Sequence, residues 1–226
     1  MNPFAASFQA VLEQINQATR ATGRPVGSVR LLAVSKTQPA ERIRLLAGLG
    51  QRDFGENYVQ EALPKIKMLH DLNLTWHYIG HVQSNKTAEI VQAFDWVHSV
   101  DRDKIARRLH DQCSPGRPPL NVCVQVNISG EISKSGVAPD AVEPLLEVVA
   151  RLAHLRLRGL MALPAPETGP EQQRLACRAL AKIYARFRDR YGLDTLSMGT
   201  TADMETAILE GATCVRIGTA LFGPRR

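Results

Sequence analysis

Short β-prone runs alternate with longer runs of helical period along this chain, and that alternation constrains the fold more than any other feature. The β-prone runs fall at 30–35 (RLLAVS), 52–55, 75–80 (TWHYIG), 96–100, 121–127 (NVCVQVN), 156–163, 195–199 and 214–218 (CVRIG). Helical runs fall between them, at 40–49, 58–69, 85–93, 102–112, 139–152, 171–191 and 202–210. Strands joined by helical crossovers run parallel. Eight such units close most simply into a (β/α)8 TIM barrel. An open doubly wound sheet is the alternative, but no G-x-G-x-x-G follows the first strand, so its dinucleotide form lacks support. An extra N-terminal helix over 4–22 carries Phe8, Leu12 and Ile15 at helical spacing and stops at Gly23 and Pro25. The chain ends at Arg226 with almost no room for an eighth crossover helix, and the N-terminal helix is expected to cover that gap. A barrel of this kind takes about 250 residues and as few as roughly 200. The whole chain, 1–226, is therefore expected to form one domain.

The 44% apolar content is enough for a large core. No apolar run approaches the roughly 18 residues that span a bilayer. Residues 1–20 lack the basic start and apolar block of a secretory leader. The expectation is a cytoplasmic protein with no membrane partner. Cys113, Cys123, Cys177 and Cys214 form no C-x-x-C pair and read as reduced thiols. His77 and His81 have a spacing that binds metal on a helix, but they flank a strand end, and no metal is expected. The net charge of +6 suits a phosphorylated small molecule as well as nucleic acid. The basic residues are spread over helical runs without interleaved aromatics, which points away from nucleic acid.

Barrel active sites lie at the C-terminal ends of the strands. There the sequence places Ser35-Lys36-Thr37, Glu56-Asn57, Gly80-His81, His98-Ser99, Asn127, Met161, Gly199-Thr200-Thr201 and Arg216-Ile217-Gly218-Thr219. Lys36 follows an apolar run, so its amine would face the mouth in a partly desolvated site that favours the neutral, nucleophilic form. A lysine that merely marks a strand end fits the position too. Loops after the seventh and eighth strands often bind phosphate. Gly199, Thr200, Thr201, Gly218 and Thr219 offer open backbone and hydroxyls there, with a helix expected from about residue 202. Thr201 also reads as the N-cap of that helix. Arg216 and Gly218 share one face of their strand. An inward Arg216 needs a partner: a cofactor ring nitrogen, or a carboxylate such as Glu56 or Asp203.

These segments together resemble the YggS/PROSC-type pyridoxal 5′-phosphate (PLP) homeostasis proteins. The segments are AVSKTQP (33–39), FGENYVQE (54–61), WHYIGHVQSNK (76–86), HSVD (98–101), QVNISGEISKSG (125–136), RGLMALP (158–164), LSMGTTADMETAI (196–208) and VRIGTALFG (215–223). The resemblance spans 32–223 and implies the barrel of the alanine racemase N-terminal domain. It implies that Lys36 is the Schiff-base lysine for PLP, and that Thr201, Gly218 and Thr219 bind its phosphate. It sets Arg216 against the pyridine nitrogen, beside Ile217, and places Asn57, Met198 and Gly199 in pocket-lining motifs. Lys134 falls near a lysine proposed as a secondary PLP site, although a solvated loop lysine fits equally. The family's LSMGMS is here LSMGTT: Thr201 keeps the hydroxyl, and Thr200 in place of Met is expected to alter packing or affinity.

The resemblance also bears on catalysis. PLP stabilises carbanions through a protonated ring, and a guanidinium beside the ring nitrogen disfavours that protonation. Racemisation needs an acid/base group on each face of the substrate carbon. In the resembling racemases a further domain and a dimer partner complete the second face. The chain ends soon after its last strand, so an open pocket on a monomer is expected. The implied role is a non-catalytic carrier for PLP homeostasis, with PLP-dependent apoenzymes as candidate recipients. The alternatives are a low-activity PLP-dependent amino-acid racemase or lyase, and a PLP-independent barrel enzyme acting on a phosphorylated metabolite.

Overall fold

Each β-prone run forms a strand, and the strands close on one another in chain order. The computed structural model describes residues 3–131, 135–163 and 169–223. The strands are β1 (Arg30–Val34), β2 (Asp53–Glu56), β3 (Thr75–Tyr78), β4 (Trp96–Val100), β5 (Leu120–Gln125), β6 (Leu155–Met161), β7 (Thr195–Ser197) and β8 (Cys214–Ile217). All neighbours are parallel, and β8 pairs back onto β1 with Arg30 opposite Cys214 and Leu32 opposite Arg216. The result is a closed eight-stranded barrel. Its strands are short, and residues just beyond β1, β2, β3, β6, β7 and β8 lie at the mouth.

The helices are α1 (Pro3–Ala21), α2 (Ala40–Gly48), α3 (Val59–Met68), α4 (Thr87–Ala93), α5 (Asp103–Asp111), α6 (Val142–Ala150), α7 (Pro170–Tyr191), α8 (Met204–Leu209) and α9 (Thr219–Phe222). Their apolar stripes face the strands. In α5, for example, Ile105, Ala106 and Leu109 are buried, with Asp103 in the first turn and Arg108 and His110 in the last. That charge order complements the helix dipole. Because parallel strands are covered on both faces, β5 reads as a nearly continuous apolar run, and Val122, Cys123 and Val124 are all fully buried.

The gap after β8 is covered as the sequence leads one to expect. Phe8, Val11 and Ile15 of α1 are buried, and α1 packs on α2, α8 and α9. Beyond α1, the Arg24 guanidinium donates to Ile208 O (2.7 Å) and Ala212 O (2.8 Å) at the end of α8. The Phe4 and Phe222 rings meet edge-on at 5.7 Å. Most boundaries shift by one or two residues from the sequence reading, and two helices differ in kind. Residues 139–152 divide into a 3-10 turn (Pro139–Ala141) and α6. The helix expected from about residue 202 begins at Met204, because a turn intervenes. No helix among the described residues is long and apolar enough to cross a membrane.

Candidate functional site

Lys36 leaves β1 at the barrel mouth, and the residues on either side of it are pinned. Ser35 N–H donates to Gly55 O (2.9 Å), and Ser35 Oγ donates to Glu56 Oε1 (2.6 Å). Lys65, reaching from α3, donates through Nζ to Ser35 O (2.9 Å), Glu56 Oε1 (2.9 Å) and Glu61 Oε1 (2.5 Å). Thr37 adopts the left-handed region at φ +64°, and its N–H donates to the Glu61 carboxylate. Burial raises the Glu56 pKa, against the lowering effects of the Ser35 hydroxyl and Lys65. A buried cation with two carboxylates is costly to desolvate but strongly oriented once formed. This cluster fixes the direction in which Lys36 leaves the strand.

A cavity of about 370 Å³ opens there, lined by Lys36, Asn57, Thr200, Thr201, Arg216, Gly218 and Thr219. Val34, Ile79, Leu163 and Phe222 give it apolar walls. Asn57 Oδ1 is buried with no hydrogen-bond partner among the described residues. Gly80 is required beside it, because a Cβ at that position would lie 2.0 Å from Asn57 O. Arg216 is only 3% exposed. Its NH1 donates to Ser197 Oγ (2.7 Å) and its NH2 to Ala162 O (2.7 Å). Neither Glu56 nor Asp203 pairs with it: Glu56 is held by Ser35 and Lys65, and Asp203 by Thr200. Burial lowers the Arg216 pKa. A buried guanidinium with no carboxylate partner among the described residues, facing a cavity, is an electrostatic demand that an anion or acceptor ligand can meet.

The turn after β7 corrects the sequence reading of Thr201. Thr200 donates to Asp203 Oδ1 through both its N–H (2.7 Å) and Oγ1 (2.6 Å), and Asp203 N–H returns a bond to Thr200 O (3.2 Å). Asp203, not Thr201, precedes the first residue of α8. Thr201 is thereby freed from capping. It is exposed, and its Oγ1 accepts a long contact from Ala220 N–H (3.5 Å). Gly199 enters this turn at φ +94°, where a Cβ would lie 2.6 Å from Ala207 Cβ. The Thr200 N–H and hydroxyl are thus committed to Asp203, and the exposed Thr201 hydroxyl lies at the cavity.

The sequence profile of the alanine racemase N-terminal domain family matches residues 7–226. The chain belongs to that family. A Pseudomonas aeruginosa member named pyridoxal phosphate homeostasis protein is 54% identical over 225 residues, covering 100% of this chain and 97% of that one. An Escherichia coli K12 protein of the same name is 48% identical over 229 residues, covering 100% and 98%. Among solved structures, PipY of Synechococcus elongatus PCC7942 with PLP bound superposes with a TM-score of 0.81 at 36% identity, covering 92% of this chain and all (100%) of that one. Alanine racemase of Corynebacterium glutamicum shares the fold alone, with a TM-score of 0.69 at 17% identity, covering 95% and 62%.

For this family member, the structure brings six of the nine sequence-predicted site residues to one cavity: Lys36, Asn57, Thr201, Arg216, Gly218 and Thr219. Met198, Gly199 and Ile217 do not line it. Met198 and Ile217 are fully buried in the main core, and the Gly199 carbonyl accepts the Arg216 N–H (2.9 Å) just beyond the end of β7. Lys134 lies outside the described residues. The apolar walls at Val34, Ile79, Leu163 and Phe222 carry no polar strand-end signal in the sequence. Val34 was findable, since it lies two residues before Lys36 and so on the same strand face. No group of three or more His, Cys, Asp or Glu among the described residues could hold a metal ion.

Proposed function

We propose that this protein binds PLP covalently through Lys36 and holds it for release, serving intracellular PLP homeostasis. One observation carries the reading: the Lys36 amine and the buried Arg216 guanidinium open into the same cavity as the Thr201, Gly218 and Thr219 turn. When bound, PLP supplies an electrophilic aldehyde to an amine and an electron-withdrawing ring. In this reading Lys36 is the amine. Thr201 and the backbone of Gly218 and Thr219 take the phosphate, and Arg216 donates toward the ring nitrogen. Asn57 Oδ1, buried without a partner among the described residues, is an acceptor available to a ligand hydroxyl.

Holding is favoured over turnover by what the cavity offers. Among its described lining residues the titratable side chains are Lys36 and Arg216, whereas racemisation uses a proton-transfer group on each face of the substrate carbon. The names of the relatives agree with this reading. It further assigns PLP-dependent apoenzymes as recipients and a monomer in the cytoplasm as the working form. The test is an absorbance spectrum of the purified protein before and after borohydride, with peptide mapping. A visible-edge band that shifts on reduction, with the label on residue 36, is the expected result. No band after PLP is added would remove the reading. Amino-acid-dependent exchange of an α-hydrogen at catalytic rates would replace it with a racemase or lyase.

A further inference from the structure

A chain of buried polar groups runs from Arg216 through the barrel lumen to the opposite rim. Arg216 NH1 lies 2.7 Å from Ser197 Oγ, Ser197 Oγ 3.0 Å from His98 Nδ1, His98 Nε2 2.9 Å from His77 Nδ1, and His77 Nε2 2.9 Å from Asp53 Oδ1. Ser197 stands on β7 and His98 on β4, strands that are not neighbours in the barrel. The bond between them therefore crosses the lumen. Ser197, His77 and His98 are buried, and Asp53 is one-quarter exposed at the N-terminal rim.

The two ends dictate the direction of every bond between them. A guanidinium can only donate, and a carboxylate can only accept. From the Asp53 end, His77 donates through Nε2–H, which leaves the Nδ1 of a neutral ring as an acceptor. His98 must then donate through Nε2–H and accept at Nδ1. Ser197 must give its single proton to His98, and its oxygen is left as an acceptor for Arg216. Burial supports neutral rings in both cases. It lowers the His77 pKa against the pull of Asp53. It holds His98 well below the ordinary histidine range, with His77 and Arg216 adding to the effect.

We propose that Ser197, His98, His77 and Asp53 are positioning residues for Arg216, forming a one-way hydrogen-bond chain that fixes its guanidinium at the cavity as a donor toward the bound cofactor's ring. This rests on the PLP reading above. The consequence is specific. If the chain is cut at His98, the Ser197 proton loses its acceptor and is free to rotate toward Arg216, where a donor would face a cation. A residue that never touches the cavity then changes the environment of the cofactor.

The test combines two readouts. ¹⁵N NMR of the imidazoles in the unliganded protein at neutral pH is expected to show His77 and His98 both as neutral Nε2–H tautomers. Nδ1–H on either ring would overturn the chain, whatever PLP does. Borohydride trapping of PLP on Lys36 in the wild type then checks the underlying reading by itself. With that in hand, His98→Leu, which has neither donor nor acceptor, is expected to weaken PLP binding about tenfold and shift the absorbance band. Asp53→Ala, at the partly exposed rim, is expected to shift the band in the same direction by less. In an Arg216→Met background neither change should have a further effect. An unchanged band and affinity in His98→Leu, or an equal loss in both backgrounds, would overturn the proposal and leave the PLP reading standing. A wild type without an adduct would remove both.

Discussion

Glu61 accepts a hydrogen bond from the backbone N–H of Thr37, the one described non-glycine residue with positive φ (+64°). Threonine is uncommon in the left-handed region, because its β-branched side chain crowds the backbone. The turn that aims Lys36 is therefore held by α3 rather than by local preference. Glu61→Ala is expected to destabilise the fold by about 1–3 kcal/mol and to lower the yield of borohydride-trapped PLP on Lys36. Thr37→Gly relieves the crowding and should stay within about 1 kcal/mol of wild type. Urea denaturation and peptide mapping of both variants check this. Full trapping in Glu61→Ala would show that Lys36 is aimed by other means.

Lys65 is 7% exposed, and its ammonium bridges Glu56, Glu61 and Ser35 O. Removing one partner of a buried ion pair costs about 3–5 kcal/mol, because a desolvated charge is left behind. Lys65→Met should lose that much stability in urea. Adding Glu56→Gln removes the stranded carboxylate and should recover part of the loss. A double variant no better than Lys65→Met would mean that Glu56 is already protonated in that background.

The barrel was legible because its information is local and repeated. Val-rich β5 and amphipathic α5 each declare their type within a few residues, and eight strand–helix alternations leave few ways to close. Lys36, Arg216 and Gly218 were legible as strand-end residues. What the sequence hid is what depends on distant partners. Ser197 and His98 are 99 positions apart and meet only because the sheet closes. Lys65 reads as an ordinary helix-surface lysine, yet it turns inward because Glu56 leaves the strand on the α3 side. In sequence Thr201 fits an N-cap as well as a phosphate contact, and what decides between them is the T-x-x-D spacing of Thr200 and Asp203. That spacing marks the head of the turn.

Glu210 ends α8 and accepts from Arg178 (Nε, 3.0 Å; NH2, 2.8 Å) and Arg174 (Nε, 2.8 Å) on α7. These two guanidinium groups hold its pKa at about 2. A folded-state pKa below the unfolded value stabilises the protein above the unfolded pKa. That stability is lost as pH falls from about 4.5 toward about 2. Glu210→Gln should therefore have a lower Tm than wild type at pH 6, and the two melting curves should converge as the pH approaches 2. A gap that stays constant over this range would assign the difference to packing rather than charge.

Thr200 and Thr201 are adjacent and chemically identical, yet the structure gives them separate tasks. Both line the cavity, but Thr200 is bound twice to Asp203 and shapes the turn, whereas among the described residues the Thr201 hydroxyl has the long Ala220 contact alone. Thr200→Met should thus lose the side-chain bond to Asp203 and about 1 kcal/mol of stability, and Thr200→Ser should retain it. Any loss of PLP affinity in Thr200→Met should accompany the loss of stability. Thr201→Val keeps the shape and removes the hydroxyl, so stability should hold while phosphate binding weakens about tenfold. Inorganic phosphate, titrated as a competitor of PLP, separates the two cases: its own affinity should fall in Thr201→Val. If the two variants lose stability and phosphate affinity in the same proportion, the turn works as a unit and the division of labour is wrong.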